Sequence, residues 1–198
     1  MNRALLIFIK NPIVGTVKTR IAKTAGDARA LEIYRQLLDH TRSVAQSVKA
    51  TRYLFYGSFI DENDDWSPAH FHKRLQSPGS LGHRMQIGFE TVLAEHDCAV
   101  VIGSDCAELS AAHLESAFQE LESHDAVLGP VYDGGYYLLG LKSPLPDVFS
   151  DMAWSTETVF RETCRRLADH NRPFATLNTL TDIDHEADWK AFQKKQGF

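Results

Sequence analysis

Ala99-Val-Val-Ile-Gly-Ser-Asp-Cys-Ala-Glu-Leu109 decides the fold. With Cys98 before it, the run to Ile102 is continuously apolar and rich in β-branched side chains. Such a run suits a strand buried on both faces, as in the parallel sheet of an α/β protein. Gly103 releases the backbone, Ser104 and Asp105 follow where the chain leaves the strand, and a helical pattern opens at Ser110. Ligands of open α/β sheets sit beyond the carboxyl ends of the strands, so a carboxylate at Asp105 is placed to hold a cation or a sugar hydroxyl. A second reading stands beside it, in which Asp105 only satisfies backbone amides in the turn before a helix.

Toward the N-terminus, Ala4-Leu-Leu-Ile-Phe-Ile9 reads as a first, central strand. It runs into Lys10-Asn-Pro-Ile-Val-Gly-Thr-Val-Lys-Thr-Arg20, where Pro12 and Gly15 break regular structure and Lys10, Lys18 and Arg20 supply three cations. Amides of a glycine-containing loop approach phosphate oxygens closely, and Arg grips two of them as a fork. No Gly-Lys-Ser/Thr follows a four-residue gap, so this is not a Walker A loop. Taken alone it also fits a solvated basic turn.

Asp27 to about Val48 has the clearest helical spacing, with Leu31, Tyr34, Leu38 and Ala45 on one face. Thr51–Tyr56 follows as a strand, and residues 57–68 with Asp61, Glu62, Asp64 and Asp65 as an exposed acidic loop. His70 and His72 have no third ligand in view and read as surface histidines. Arg74–Gln76 suggests a short strand, followed by a flexible loop and a helix from about His83 to Glu95. Arg84 falls in its first turn, where the helix dipole favours anions, so it is either exposed or aimed at a ligand.

Beyond Asp105, Ser110 caps a helix to about Glu122, and Asp125–Val131 is a strand. Tyr132-Asp-Gly-Gly-Tyr-Tyr-Leu-Leu-Gly-Leu141 reads as a hairpin, in which Gly134 and Gly135 let the backbone approach a ligand closely. Trp154–Thr158 opens a helix with Ser155 as N-cap, and Pro173–Leu177 suits a last edge strand. Asp182 and Asp184 either cap the terminal helix, or one of them completes a cation site with Asp105.

A chain of 198 residues without repeats or linkers is most simply one domain, 1–198, able to bury about 70% of its unfolded surface. The net charge of −5 argues against a nucleic-acid partner, which needs a basic footprint. Three widely spaced cysteines form no disulfide or zinc pattern, and no segment is long and apolar enough to span a bilayer, so a cytoplasmic protein is expected.

Together these stretches resemble the nucleotide-diphosphosugar transferase superfamily, and most of all bacterial arsenosugar-biosynthesis-type glycosyltransferases. The likeness rests on Lys10–Arg20, Leu81-Gly-His-Arg-Met85, Gly103-Ser-Asp-Cys106, Gly129–Leu141, Trp154-Ser-Thr156 and Asp182-Ile-Asp184, in that order. The basic loop is also similar to that of the molybdenum-cofactor and phospholactate guanylyltransferases. Ala107 departs from a usual Pro, and His185 from a common Thr.

The resemblance implies the glycosyltransferase-A fold, an α/β protein with three α/β/α layers around a mixed, mostly parallel sheet. It implies a nucleotide held by Lys10, Gly15, Lys18, Arg20 and Arg84, with Mg2+ or Mn2+ on Asp105 and Asp184. The acceptor would lie near Gly134, Gly135, Tyr136, Trp154 and Ser155, with Asp133 either taking its proton or binding sugar. The partners expected are a nucleotide sugar or nucleoside triphosphate and a small acceptor; no oligomeric state is implied. Glycosyl transfer, guanylyltransferase-like nucleotidyl transfer with pyrophosphate release, and non-catalytic nucleotide-sugar binding all remain open at this point.

Overall fold

The computed structural model describes residues 1–197; Phe198, the last residue of the expected domain, lies outside them. Seven strands form one sheet in the order β3-β2-β1-β4-β6-β5-β7. They are β1 (Arg3–Ile9), β2 (Thr51–Tyr56), β3 (His72–Leu75), β4 (Cys98–Ile102), β5 (Ala126–Pro130), β6 (Tyr136–Leu141) and β7 (Phe174–Thr176). Only β6 runs against the others, pairing antiparallel with β4 and β5. The sheet is therefore mixed and mostly parallel, as expected.

All five residues of β4 are buried, which is why its sequence shows no alternation. The neighbouring β1 distributes its side chains to both faces. Leu5, Ile7 and Ile9 pack with Tyr34 and Leu38 of α2 (Asp27–Gln46) and Phe118 of α4 (Ala111–Ser123). Ala4 and Leu6 pack on the other face with Met85 and Phe89 of α3 (Leu81–Leu93) and Leu167 of α5 (Val159–Asp169). Helices thus cover both faces, and the sheet divides the two largest apolar clusters of the core. No helix among the described residues is long and apolar enough to cross a membrane.

Ser110 caps α4, its hydroxyl accepting from His113 N while His113 Nδ1 accepts from Ser110 N. Two local expectations are corrected. Ser155 is not an N-cap: it adopts a left-handed φ of 64°, and α5 starts only at Val159, because residues 154–158 turn back against the β5–β6 hairpin. The acidic loop is not simply solvated. Asp64 accepts from Tyr56 Oη at 2.5 Å and Lys73 Nζ at 2.8 Å, and Trp66 is buried, which pins the loop to β2 and β3.

Register places the site. Ile7 stands opposite Ile102, and Ile9 opposite Tyr56, so Lys10, Gly57 and Asp105 all leave the same edge of the sheet. The β5–β6 turn joins that edge, and a bridge between Val131 and Leu180 leads residues 181–184 to it.

Candidate active site

A cleft of about 980 Å³ opens along this edge. Its walls bring together Lys10, Lys18, Arg20 and Arg84 with Asp105, Asp133 and Asp184, and with Gly135, Tyr136, Trp154 and Ser155. Gly15 and Gly134 are not part of the lining.

The basic loop is fastened from below. Tyr34 Oη donates to Lys10 O and accepts from Lys10 N, both at 2.9 Å, and Ser104 Oγ donates to the same phenol at 3.4 Å. Burial pushes that phenol up to about 12. Tyr34 therefore ties the exit of β1 to the exit of β4. Buried Asn11 adds a second tie, its Nδ2 donating to Phe59 O and its Oδ1 accepting from Ser58 N. Neither role was visible in the sequence, where Tyr34 is one more residue on an apolar helix face.

Lys18 precedes the short helix α1 (Thr19–Ala25), which the sequence reading did not anticipate, with a left-handed φ of 47°. Its nearly buried ammonium lies 2.6 Å from Asp105 Oδ1 and donates to Ile183 O at 2.7 Å. Left-handed backbone costs a residue with a Cβ about 1–2 kcal/mol, and such strain collects at functional sites. Arg20 pairs with Asp184 at 2.5 Å, a contact in which Arg20 is more than half exposed. Two of the three cations of the basic loop thus have carboxylate partners, while Lys10 is exposed. Arg84 uses Nε on Gly79 O and Nη1 on Gln76 Oε1; Gln76 is in turn held by Ile9 O and Phe55 O.

Asp105 itself is half-exposed at the end of β4, and its carbonyl accepts from Ile183 N at 2.8 Å. That bond brings Asp182 alongside. Asp182 Oδ1 is buried and unpartnered among the described residues, and its carboxyl is pushed up to about 7. Burial is the main cause; Asp105, Asp133 and Asp184 add to it and Lys18 opposes it. Neither Asp182 nor Asp184 caps the last helix, α6 (Glu186–Gln196). Asp188 accepts from the amides of Asp184 and His185 there.

Because the folded carboxyl of Asp182 keeps its proton to about pH 7, against an ordinary value of 3.8, the folded state holds more protons between these values. The cation-free protein therefore loses stability from this group as pH rises from about 4 to 7, and no more above it. Asp182→Asn, which mimics the neutral acid, is expected to flatten that loss. Thermal melts without divalent cations at pH 5 and pH 8 check this; an unchanged difference between the two pH values contradicts it.

Among the described residues, no three His, Cys, Asp or Glu side chains are gathered closely enough to hold an ion unaided. The donor set at the cleft nevertheless suits a hard cation, being all oxygen and including the orphaned buried Asp182 Oδ1. In sequence Asp182 and Asp184 are equivalent candidates; the structure buries the Asp182 carboxylate oxygen.

The remaining wall is built by the β5–β6 hairpin and residues 154–158. Gly134, at φ +91°, lies so close to this segment that a Cβ would fall 2.1 Å from Glu157 O, and Phe160 N donates to Gly134 O at 2.9 Å. Its glycine admits the protein's own backbone. Asp133 Oδ1 accepts from Gly135 N at 3.0 Å. Tyr136 Oη is buried and faces inward, and burial raises its ionisation far above the usual range, so its phenol is not offered to the cleft. Trp154 packs its indole over Gly82, where a Cβ would come 2.5 Å from Nε1.

The family model described as "Uncharacterized protein conserved in bacteria (DUF2064)" matches residues 40–156, more than half of the chain. The chain belongs to this family. No curated protein matches. Among solved structures, this DUF2064 protein is similar to a putative nucleotide-diphospho-sugar transferase from Desulfovibrio desulfuricans G20, with 27% identity over 93% of this chain and 84% of that one and a TM-score of 0.86. A cytidylyltransferase from Leptospira borgpetersenii is 12% identical, covering 98% of this chain and 85% of that one at TM-score 0.60. Rv0371C from Mycobacterium tuberculosis, in complex with manganese, is 9% identical over 98% and 99% at TM-score 0.57. These last two likenesses establish the shared fold.

Proposed function

We propose that this DUF2064 protein is a metal-dependent transferase, acting as one domain in the cytoplasm, that moves a glycosyl group from a nucleotide sugar to a small acceptor. One observation carries the reading: the basic loop after β1, the Asp105–Lys18 pair and buried Asp182 meet in a single cleft at the carboxyl ends of the strands. The likeness to the Desulfovibrio putative nucleotide-diphospho-sugar transferase supports the substrate class. The sequence resemblance to arsenosugar-biosynthesis-type enzymes supports glycosyl over nucleotidyl transfer.

In this reading Lys10 and Arg84 receive the phosphates, each charge-assisted contact contributing about 1.5–3 kcal/mol. Lys18 and Arg20 stand behind them, shared with Asp105 and Asp184. Asp105 and Asp182 would hold the divalent cation, Mg2+ or Mn2+, with Asp184 beside them. When bound, the cation would neutralise charge growing on the departing phosphate oxygens. Asp133 keeps Oδ1 on its own turn and has Oδ2 for the acceptor hydroxyl, from which it takes the proton.

Incubating the protein with nucleotide sugars and nucleoside triphosphates in Mg2+ or Mn2+ tests this. Release of nucleoside diphosphate supports it; release of pyrophosphate identifies a guanylyltransferase-like enzyme instead, and binding without turnover a nucleotide-sugar binding protein. Asp133→Asn is expected to lower turnover about 10²–10⁴-fold while leaving nucleotide affinity unchanged. Equal loss of both, measured by steady-state kinetics and calorimetry, would place Asp133 in the nucleotide site.

A further inference from the structure

The wall opposite the basic loop has a charge character of its own. The β5–β6 hairpin and the 154–158 segment behave as one piece, joined by the Gly134–Glu157 contact and the Phe160 N to Gly134 O bond. To the cleft lining this piece contributes Asp133, Glu157 and Tyr132, all exposed, and Trp154, whose indole packs over Gly82. Between Val131 and Tyr137, and between Trp154 and Val159, there is no Lys, Arg or His. Of the other cations lining the cleft, Lys18 and Arg20 are paired with Asp105 and Asp184, Arg84 is held by Gly79 O and Gln76 Oε1, and Lys10 is exposed at the exit of β1. Tyr132 is 78% exposed, an apolar ring held at the cleft mouth with little of the protein covering it.

Resting on the transferase reading above, we propose that the second substrate is a neutral or cationic polyhydroxy compound, a sugar or amino sugar, and not a phosphate or carboxylate ester or acid. Recognition of an acceptor phosphate or carboxylate requires cationic forks or ammonium groups, and this wall has none. Carboxylates on one wall repel an anion, while they accept hydrogen bonds from hydroxyl or ammonium groups. The aromatic faces act in the same direction. Their negative π-faces attract the C–H face of a sugar ring or a cation and disfavour an anion. In the transfer, an acceptor hydroxyl oxygen attacks the anomeric carbon of the nucleotide sugar. The new bond forms as the carbon–oxygen bond to the nucleotide breaks. The nucleoside diphosphate leaves with the electron pair, and the acceptor proton passes to Asp133.

The test uses the full chain saturated with Mn2+ and whichever of UDP, GDP, CDP or ADP binds by calorimetry, so that the donor pocket is filled. Glucose, glucosamine, glucose 1-phosphate and gluconate are then compared by saturation-transfer NMR titration. Glucose or glucosamine is expected to bind, with glucose 1-phosphate and gluconate weaker by about tenfold or more. Tyr132→Ala, at an exposed position, is expected to weaken the neutral ligand, and Glu157→Lys to admit glucose 1-phosphate. Binding of glucose 1-phosphate or gluconate to the wild type as tightly as glucose overturns the proposal. So does failure of all four to bind the nucleotide-loaded protein. Failure of every nucleotide to bind is a different result: it removes the transferase reading, and this inference falls with it.

Discussion

Gly134→Ala is expected to cost on the order of 3–5 kcal/mol of stability, a large effect for one methyl group. The added Cβ would lie 2.1 Å from Glu157 O and 2.5 Å from its carbonyl carbon, both backbone atoms. At φ +91° alanine is strained as well, by about 1–2 kcal/mol. The neighbouring segment cannot simply withdraw, because Phe160 N is bonded to Gly134 O. The melting temperature should fall on the order of 10 °C, at about 2–4 °C per kcal/mol for a chain of this size. Gly135→Ala is the control. Its Cβ would meet only Asp133 Oδ1 and Val131 Cγ2, both at 3.4 Å, so a cost of about 1 kcal/mol or less is expected. Calorimetric melts compare the two; equal losses would mean that the hairpin is not fastened through Gly134.

Asp105→Ala is expected to reduce turnover about 10³-fold or more, since it removes both the proposed anchor of the cation and the partner of Lys18. The fold should survive, because the Asp105 side chain is half-exposed and β4 ends before it. Asp184→Ala should do less harm: that carboxylate is engaged by Arg20 at the outer part of the cleft. Turnover of the two variants on the same nucleotide sugar checks this order, and a larger loss at Asp184 would reverse the assignment of the anchor.

The sheet was legible because its strands are written in apolar runs. Ala4–Ile9 and Cys98–Ile102 suit buried strands, and the hairpin announces itself at Asp133–Gly134. The helices α2 and α4 were equally plain, from a sustained apolar stripe in one and Ser110 in the other. What escaped depends on contacts between distant segments. Asp182 and Asp184 lie on one side of an extended stretch, with Ile183 in the core between them. Their depth is set by the bond from Ile183 N to Asp105 O, which joins residues far apart in the chain. Gly134 carried the signal of a close approach, but not what approaches. Lys18 and Arg20 were read as open cations because a sequence does not show that Asp105 and Asp184 stand next to them. Asp64 likewise looked solvated until Lys73 and Tyr56 were found beside it.

The most direct measurement is a calorimetric titration of nucleoside diphosphate into the wild-type protein, with and without Mn2+. Asp105 and Asp182 cannot fill six oxygen positions around a small divalent cation, so phosphate oxygens and water must supply the others. Cation affinity should therefore be weak alone and rise with nucleotide present, and nucleotide affinity must rise with the cation by the same factor. In Asp105→Ala that mutual enhancement should vanish, leaving cation-independent binding on the basic loop. A wild type whose nucleotide affinity ignores Mn2+, or a variant that keeps the full enhancement, would make Asp105 a turn residue and contradict the assignment.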